Sequence, residues 1–342
     1  MNLPITRLHS LRSVQLRIPT LSESSDFYSE VWGLSVVEQD HDDTWLRGTG
    51  RNHHVLQLSR AERNGLGRIS FAVRTPAEID QAAVQLRERG VPILREPGPL
   101  DQIGGGYGLH LVDPEGRLIE LAADMESVVP RSRDEAVPVG VTHVVLNTVD
   151  IDRAVTFYTA VLGMRISDWS EHQMAFLRCN TDHHSIAFNQ AAWTSVNHVA
   201  YEMPSIDHFM RGIGSLKHHG ITPLWGPGRH GPGNNTFSYF ADPAGLVCEY
   251  TSDVAQVVED QWLCRVWRRV PELSDLWGTA GPPSKQVRTH MAGVADLGVF
   301  ADRETNPTAA APDQADREAA EAAQPGYEAV APDRVDYAGS PR

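Results

Sequence analysis

The sequence predicts an α+β fold of two tandem domains, each a pair of βαβββ modules, followed by a C-terminal tail with no core of its own. Three observations carry this expectation. The chain repeats itself at an offset of 130 residues, so that Phe27, Tyr28 and Gly33 fall on Phe157, Tyr158 and Gly163. Each half runs through the same order of short strands and bounded helices. Beyond about residue 302 the chain has no Trp, Phe, Leu or Ile and cannot bury much.

The repeat is long enough to mean duplication. SSDFYSEVWGL (24–34) resembles AVTFYTAVLGM (154–164), and His53-His54 fall on His183-His184 at the same offset. Near the end of each half, LVDPEGRLIELAAD (111–124) resembles YFADPAGLVCEYTSD (239–253).

In order along the chain, SVQLRI (13–18) is short and aliphatic and is expected as a strand. A helix follows, with Ser22 as its N-cap, Phe27/Val31 and Tyr28/Trp32 at helical spacing, and Gly33 at its end. The alternation in HHVLQLS (53–59) marks a strand, and RISFAV (68–73) opens the second module. Thr75-Pro76-Ala77-Glu78 is a capping box with proline at the first helical position, and Gly90 stops that helix. Strands are expected near 91–95, 107–112 and 117–122. The second half repeats the plan, with strands near 142–147 and 196–202 and helices near 151–162 and 206–219.

The domains are therefore expected at 8–124 and 139–253. A polar linker with two prolines spans 125–138. An extension over 254–301, carrying Trp262, Trp267 and Trp277, is expected to pack on the second half. Residues 302–342 are expected to form a disordered acidic tail rich in Ala and Pro, where Ala and Glu would favour a short helix over 314–323.

Composition excludes several classes. The formal net charge is −14, which disfavours nucleic acid and anionic membrane surfaces as partners. Three widely spaced cysteines (Cys179, Cys248 and Cys264) form neither a disulfide framework nor a CxxC metal pair. No run reaches the length of a membrane helix, and the first residues lack a signal-peptide core. A cytoplasmic protein is expected.

Among fifteen histidines, placement distinguishes a few. His143 lies in the strand THVVLN, His198 in NHVAYEM, and Glu249 in LVCEYTS. Three strands of one curved sheet can aim these side chains into one concavity. Two imidazoles and a carboxylate form the facial triad of non-haem Fe(II) oxygenases, with coordination positions left open. The repeat supplies a control. His143 and His198 correspond to Ser13 and Arg68, and only the glutamate persists, as Glu120. The metal is therefore expected in the second half alone.

These segments, together with CNTDHHSIAF, GRHGPGNNTFSYF and DPAGLVCEY, resemble the type I extradiol ring-cleaving dioxygenases of the vicinal oxygen chelate superfamily. The resemblance covers about residues 10–290. It implies Fe(II), in some members Mn(II), on His143, His198 and Glu249, and a non-catalytic first domain. It implies a catechol-type substrate and O2, with ring cleavage adjacent to the diol. It assigns acid–base chemistry to His184, a further active-site role to His230, and hydrogen bonding to Tyr239. An uncoordinated imidazole such as His184 can both give and take a proton. Its neighbour His183 is expected at the surface, and Tyr239 two strands from the metal. Trp193 and the tryptophans of the extension are candidates for the pocket wall.

One departure stands out. Several members of that family carry an acidic residue three positions after the His230 equivalent, where this chain has Gly233. Two alternatives remain at this point. One is a glyoxalase-like isomerase or lyase of the same superfamily, and the other a non-catalytic protein that binds aromatic ligands or confers resistance. Homo-oligomers are common in the family, which leaves such an assembly open here.

Overall fold

A computed structural model describes residues 5–132 and 134–300 together with the backbone of Glu328–Ala329. The rest of the 302–342 segment, including the helix expected over 314–323, lies outside the described residues.

The first sheet is built from β1 (Ser10–Ile18), β2 (Ser35–Gln39), β3 (Asp43–Arg47), β4 (Leu56–Arg60), β5 (Gly65–Ala72), β6 (Ile93–Pro99), β7 (Tyr107–Val112) and β8 (Leu118–Ala123). Their order is β2-β3-β4-β1-β5-β8-β7-β6. The second comprises β9 (Gly140–Thr148), β10 (Arg165–Ser170), β11 (Met174–Arg178), β12 (Ile186–Gln190), β13 (Ser195–Glu202), β14 (Trp225–Arg229), β15 (Thr236–Ala241) and β16 (Val247–Ser252). Its order is β14-β15-β16-β13-β9-β12-β11-β10, extended at the β10 edge by β17 (Arg265–Trp267) and β18 (Glu328–Ala329).

Each sheet joins two modules through an antiparallel central pair, β1 with β5 and β9 with β13. Within a module the first strand lies parallel to the last, as in β9 with β12 and β13 with β16. Parallel neighbours cannot be joined by a tight turn, so each module needs its helical crossover.

The crossover helices are α1 (Leu21–Asp26), α2 (Pro76–Glu88), α3 (Ile151–Ala160) and α4 (Ile206–His218). Thr75, Asp150 and Ser205 cap the last three by accepting from the amides of Glu78, Arg153 and His208. The first helix departs from expectation. It starts at Leu21, so Ser22 lies inside its first turn, and no side chain caps it. Buried Leu21 anchors the start by packing instead. The helix then widens into a π-turn over Phe27–Val31, with the Trp32 amide donating to the Phe27 carbonyl at 2.8 Å. That geometry buries Phe27, Tyr28 and Trp32 together. Gly33, at φ 91°, ends it as the sequence predicts.

The two halves meet across these helices, and one apolar core runs through both. Trp32 stacks on Tyr250 with ring centroids 3.9 Å apart. Each half sends a tyrosine to the turn aspartate of the other. Tyr28 donates to Asp242 at 3.1 Å, and Tyr158 donates to Asp113 at 3.2 Å. The segment after β16 crosses back over the molecule. Its β17 pairs with β10, α5 (Pro271–Ser274) and α6 (Lys285–Ala292) follow, and Asp296 pairs with Arg17 of the first half at 2.9 Å. No described helix is long and apolar enough to cross a membrane.

Candidate metal centre

The strand order β16-β13-β9 brings the three predicted ligands onto neighbouring strands. Ala200 on β13 is in register with His143 on one side and with Glu249 on the other. Cross-strand partners share a face, and residues two apart on a strand do too. His198, two residues before Ala200, therefore joins His143 and Glu249 on the same face. Among the described residues these three form a group whose ligand atoms all lie within 4.8 Å of one another.

Their hydrogen bonds prepare them for a cation. Nε2 of His143 and Nε2 of His198 each stand 3.2 Å from Oε2 of Glu249. His198 Nδ1 lies 2.8 Å from the Asn197 side-chain oxygen, an acceptor, so Nδ1 donates and Nε2 keeps its lone pair. Thr142 holds His143 Nδ1 at 3.0 Å. Glu249 is fully buried, and its Oε1 has no hydrogen-bond partner. A buried carboxylate with one oxygen facing two imidazoles and the other without a partner is a donor set that a divalent metal completes, so these residues fit one. Burial acts to raise the pKa of Glu249, but His143 and His198 outweigh it and hold the carboxyl at about 2. Burial depresses His198 despite the nearby Glu249.

His184 lies just before β12, beside the ligands, with its ring centroid 4.2 Å from that of His143 and 5.3 Å from that of Phe176. Burial first, then neighbouring histidines, push its pKa well down, which favours neutral imidazole. Tyr239 is nearer than the sequence suggested. It pairs in register with Glu249 on the adjacent strand, and its ring meets His198 edge to face at 5.0 Å. Its hydroxyl lies 2.8 Å from His230 Nε2, while His230 Nδ1 lies 3.0 Å from the Ser274 carbonyl. A carbonyl only accepts, so Nδ1 donates and Nε2 accepts from Tyr239. Burial lowers His230 to about 4 and raises Tyr239, so both stay neutral.

His183 is not at the surface. It is completely buried, with Nε2 at 3.0 Å from Asp168 and Nδ1 at 3.0 Å from His184 Nδ1. Sequence reasoning missed both His183 and Asp168. The local pattern at Asp168, a strand residue in RISDWS, carries no such signal. Its other partners come from the extension, where Trp267 donates to it at 2.7 Å and Trp262 packs on His183. Those two tryptophans thus sit behind the histidine pair. Trp193 donates to the Ala292 carbonyl at the end of α6, and Trp277 lies over Arg229. Trp225, also missed, stacks on Tyr239. The Gly233 departure has a steric reason. A Cβ there would lie 3.1 Å from His183 Nδ1 and 3.2 Å from His184 Cε1, and φ is 75°.

An apolar row lies next to the ligands. Val145, two residues after His143, is in register with Ala187, which is in register with Phe176, and the three pack together with Met174. The same face therefore offers a buried carboxylate with two imidazoles, two neutral hydrogen-bonding histidines, a phenol and an apolar wall.

The family described as Glyoxalase/Bleomycin resistance protein/Dioxygenase superfamily matches residues 10–121 and 140–250. Metapyrocatechase 2 of Cupriavidus necator is 27% identical over 283 residues, covering 75% of this chain and 85% of that protein. The 2,2',3-trihydroxybiphenyl dioxygenase of Sphingomonas paucimobilis is 31% identical over 251 residues, covering 69% and 85%. The crystal structure of the Mn(II)-bound glyoxalase from Novosphingobium aromaticivorans aligns with a TM-score of 0.78 at 39% identity, covering 82% of this chain and 94% of that one. With one match on each sheet and most of the chain covered, the protein belongs to the Glyoxalase/Bleomycin resistance protein/Dioxygenase superfamily, with two copies of its domain in tandem.

Proposed function

We propose that this protein is an Fe(II)-dependent extradiol dioxygenase, with Mn(II) as the alternative metal. It opens the ring of a catechol-type aromatic diol beside the two hydroxyls, using O2. The ligands would be His143, His198 and Glu249. The observation that carries the proposal is the three-membered ligand set with His184 beside it but outside it. Three protein ligands leave positions for both diol oxygens and for O2, and an imidazole that binds no metal remains for proton transfer. The similarity to proteins named metapyrocatechase 2 and 2,2',3-trihydroxybiphenyl dioxygenase supports the same reading.

A divalent metal on this triad supplies Lewis acidity that lowers the pKa of a bound hydroxyl. The rest falls to the chain's own residues. His184, kept neutral by burial, takes the proton released by the diol and later returns one to the reacting oxygen. Tyr239, kept protonated, donates its one hydroxyl proton to His230 Nε2, which fixes the hydroxyl and leaves its oxygen as an acceptor beside Glu249. Val145, Ala187 and Phe176 hold the aromatic ring and exclude water from it. Three free cysteines suit a reducing cytoplasm as the compartment.

One observation favours a second reading, a metal-dependent isomerase: the 39%-identical structure is named a Mn(II)-bound glyoxalase. Oxygen uptake decides between the two. Anaerobically prepared protein, loaded with Fe(II) or Mn(II) in turn, is presented with a panel of catechols in an oxygen electrode. Uptake with appearance of a yellow ring-opened product is expected. No uptake with any catechol, together with oxygen-independent isomerisation of an α-oxoaldehyde hemithioacetal, would establish the second reading instead.

A further inference from the structure

We propose that Asp168 and His183 form a positioning dyad that sets the tautomer of His184, holding it with Nδ1 protonated and Nε2 bare beside the metal ligands. Its catalytic meaning rests on the dioxygenase reading above, while its geometry does not.

Asp168, in β10, is 1% exposed. Its Oδ1 accepts from the Arg265 amide at 2.9 Å, and its Oδ2 accepts from the Trp267 indole at 2.7 Å. Amide and indole N–H groups can only donate, so both oxygens already act as acceptors. The remaining neighbour is His183 Nε2, 3.0 Å from Oδ2. Against a carboxylate, that nitrogen carries a proton and donates it. The proposed dyad places one proton on the His183 ring, at Nε2, which leaves its Nδ1 bare. His184 Nδ1 lies 3.0 Å away, and two bare nitrogens would repel at that distance. His184 Nδ1 must therefore be the donor, which leaves Nε2 without a proton. A buried carboxylate fixing an imidazole tautomer is the same device that orients the histidine of a serine-protease triad. Here a second imidazole is interposed.

The surroundings hold the pair still. His183 is fully buried, Trp262 meets its ring at 5.3 Å, and Gly233 closes against both rings. The duplicate shows what happens without the aspartate. His53 and His54 keep a 3.3 Å contact between their Nδ1 atoms. Glu38 takes the place of Asp168 opposite the neighbouring hairpin strand, but it is exposed. The acid nearest His53 is Glu126, at 3.8 Å and 63% exposed. A buried acceptor behind the pair thus occurs only in the half with the three candidate ligands, and the extension, which supplies Arg265, Trp267 and Trp262, is what buries it.

Long-range 1H–15N spectra of the full-length protein, histidine-labelled and loaded with diamagnetic Zn(II), read the tautomers directly. The wild type is expected to show His184 protonated on Nδ1 and His183 on Nε2, and Asp168→Asn should reverse or mix the His184 pattern. In Fe(II)-loaded enzyme, Asp168→Asn should lower kcat by about 10²-fold or more with KM and metal content near wild type, and Asp168→Glu should recover part of the loss. A wild-type spectrum with His184 protonated on Nε2 overturns the dyad, and that spectrum needs no variant to fold. Wild-type kcat in Asp168→Asn overturns it as well, as does loss of metal in that variant. If the wild type consumes no oxygen with any catechol, the dioxygenase reading falls, and the spectra still decide the dyad.

Discussion

Glu120 and Glu249 occupy matching places in the two halves, each fully buried and each opposite the equivalent residue of its sheet, Ser70 or Ala200. Their surroundings differ in kind. Around Glu120 every partner is supplied by the protein. Ser70 donates to it at 2.6 Å, His110 stands at 3.0 Å and the Arg68 guanidinium at 3.5 Å, with Arg12 bonded to Ser70 behind them. Around Glu249 stand two imidazoles, and one oxygen has no partner. Arginine is permanently charged, so Arg68 neutralises its carboxylate without help. An imidazole, unlike a guanidinium, has a ring nitrogen whose lone pair can bind a metal. Two exchanges between the repeats, Arg68 for His198 and Ser13 for His143, thus separate a structural ion cluster from a candidate metal site.

Removing the carboxylates tests that contrast most strongly. Glu249→Ala should take bound metal from about one per chain to near zero, and activity with it. Glu120→Ala should keep the metal but lose about 3–5 kcal/mol of stability, because buried Arg12 and half-buried Arg68 lose the carboxylate that balances their charge. Metal analysis and urea unfolding of both variants check this. Equal metal loss from the two would show that the site is misplaced.

His184→Asn sharpens the comparison inside the second half. Removing an imidazole that is not a ligand should leave metal content and anaerobic catechol binding intact while turnover falls by about 10²- to 10⁴-fold. His143→Ala should lose metal first. Loss of iron from both alike would make His184 a fourth ligand and move the isomerase reading ahead.

His198→Arg imitates the first half. The guanidinium should abolish metal binding yet pair with Glu249, so its melting temperature should fall less than that of Glu249→Ala. A larger fall would mean that the second pocket cannot accept the first pocket's solution.

The smallest effect concerns the turn aspartates. Asp113 pairs with Arg117 at 3.0 Å, whereas Asp242 has Leu246 at the matching position, and burial raises Asp242 to about 7. The folded protein therefore binds this proton more tightly than the unfolded chain. The stability it contributes is complete below about pH 4 and is lost as pH rises through about 7. Asp242→Asn should flatten that part of the stability–pH curve. Urea midpoints of both proteins at about pH 5 and about pH 8 measure it, and an unchanged slope would remove Asp242 as the cause.

The duplication, the capped helices and the three candidate ligands were legible in the sequence. Each depends on local chemistry or strict spacing: a side chain that reaches an amide three residues on, a glycine that tolerates positive φ, a strand residue whose face is set by period two. The offset between halves added a control, since it exposed Ser13 and Arg68 opposite His143 and His198. What only the tertiary structure decided depends on strand order and on long-range packing. Tyr239 stands beside Glu249 because β15 is the neighbour of β16. Helix α1 starts at Leu21 because packing of a buried leucine outweighs a serine's capping preference. His183, adjacent in sequence to His184, looked like a surface residue because its partner Asp168 lies on another strand and because the cover over both arrives from Trp262 and Trp267, far along the chain. A buried polar pair is stable only when every donor and acceptor finds a partner, and those partners become neighbours only after the extension folds back over the sheet.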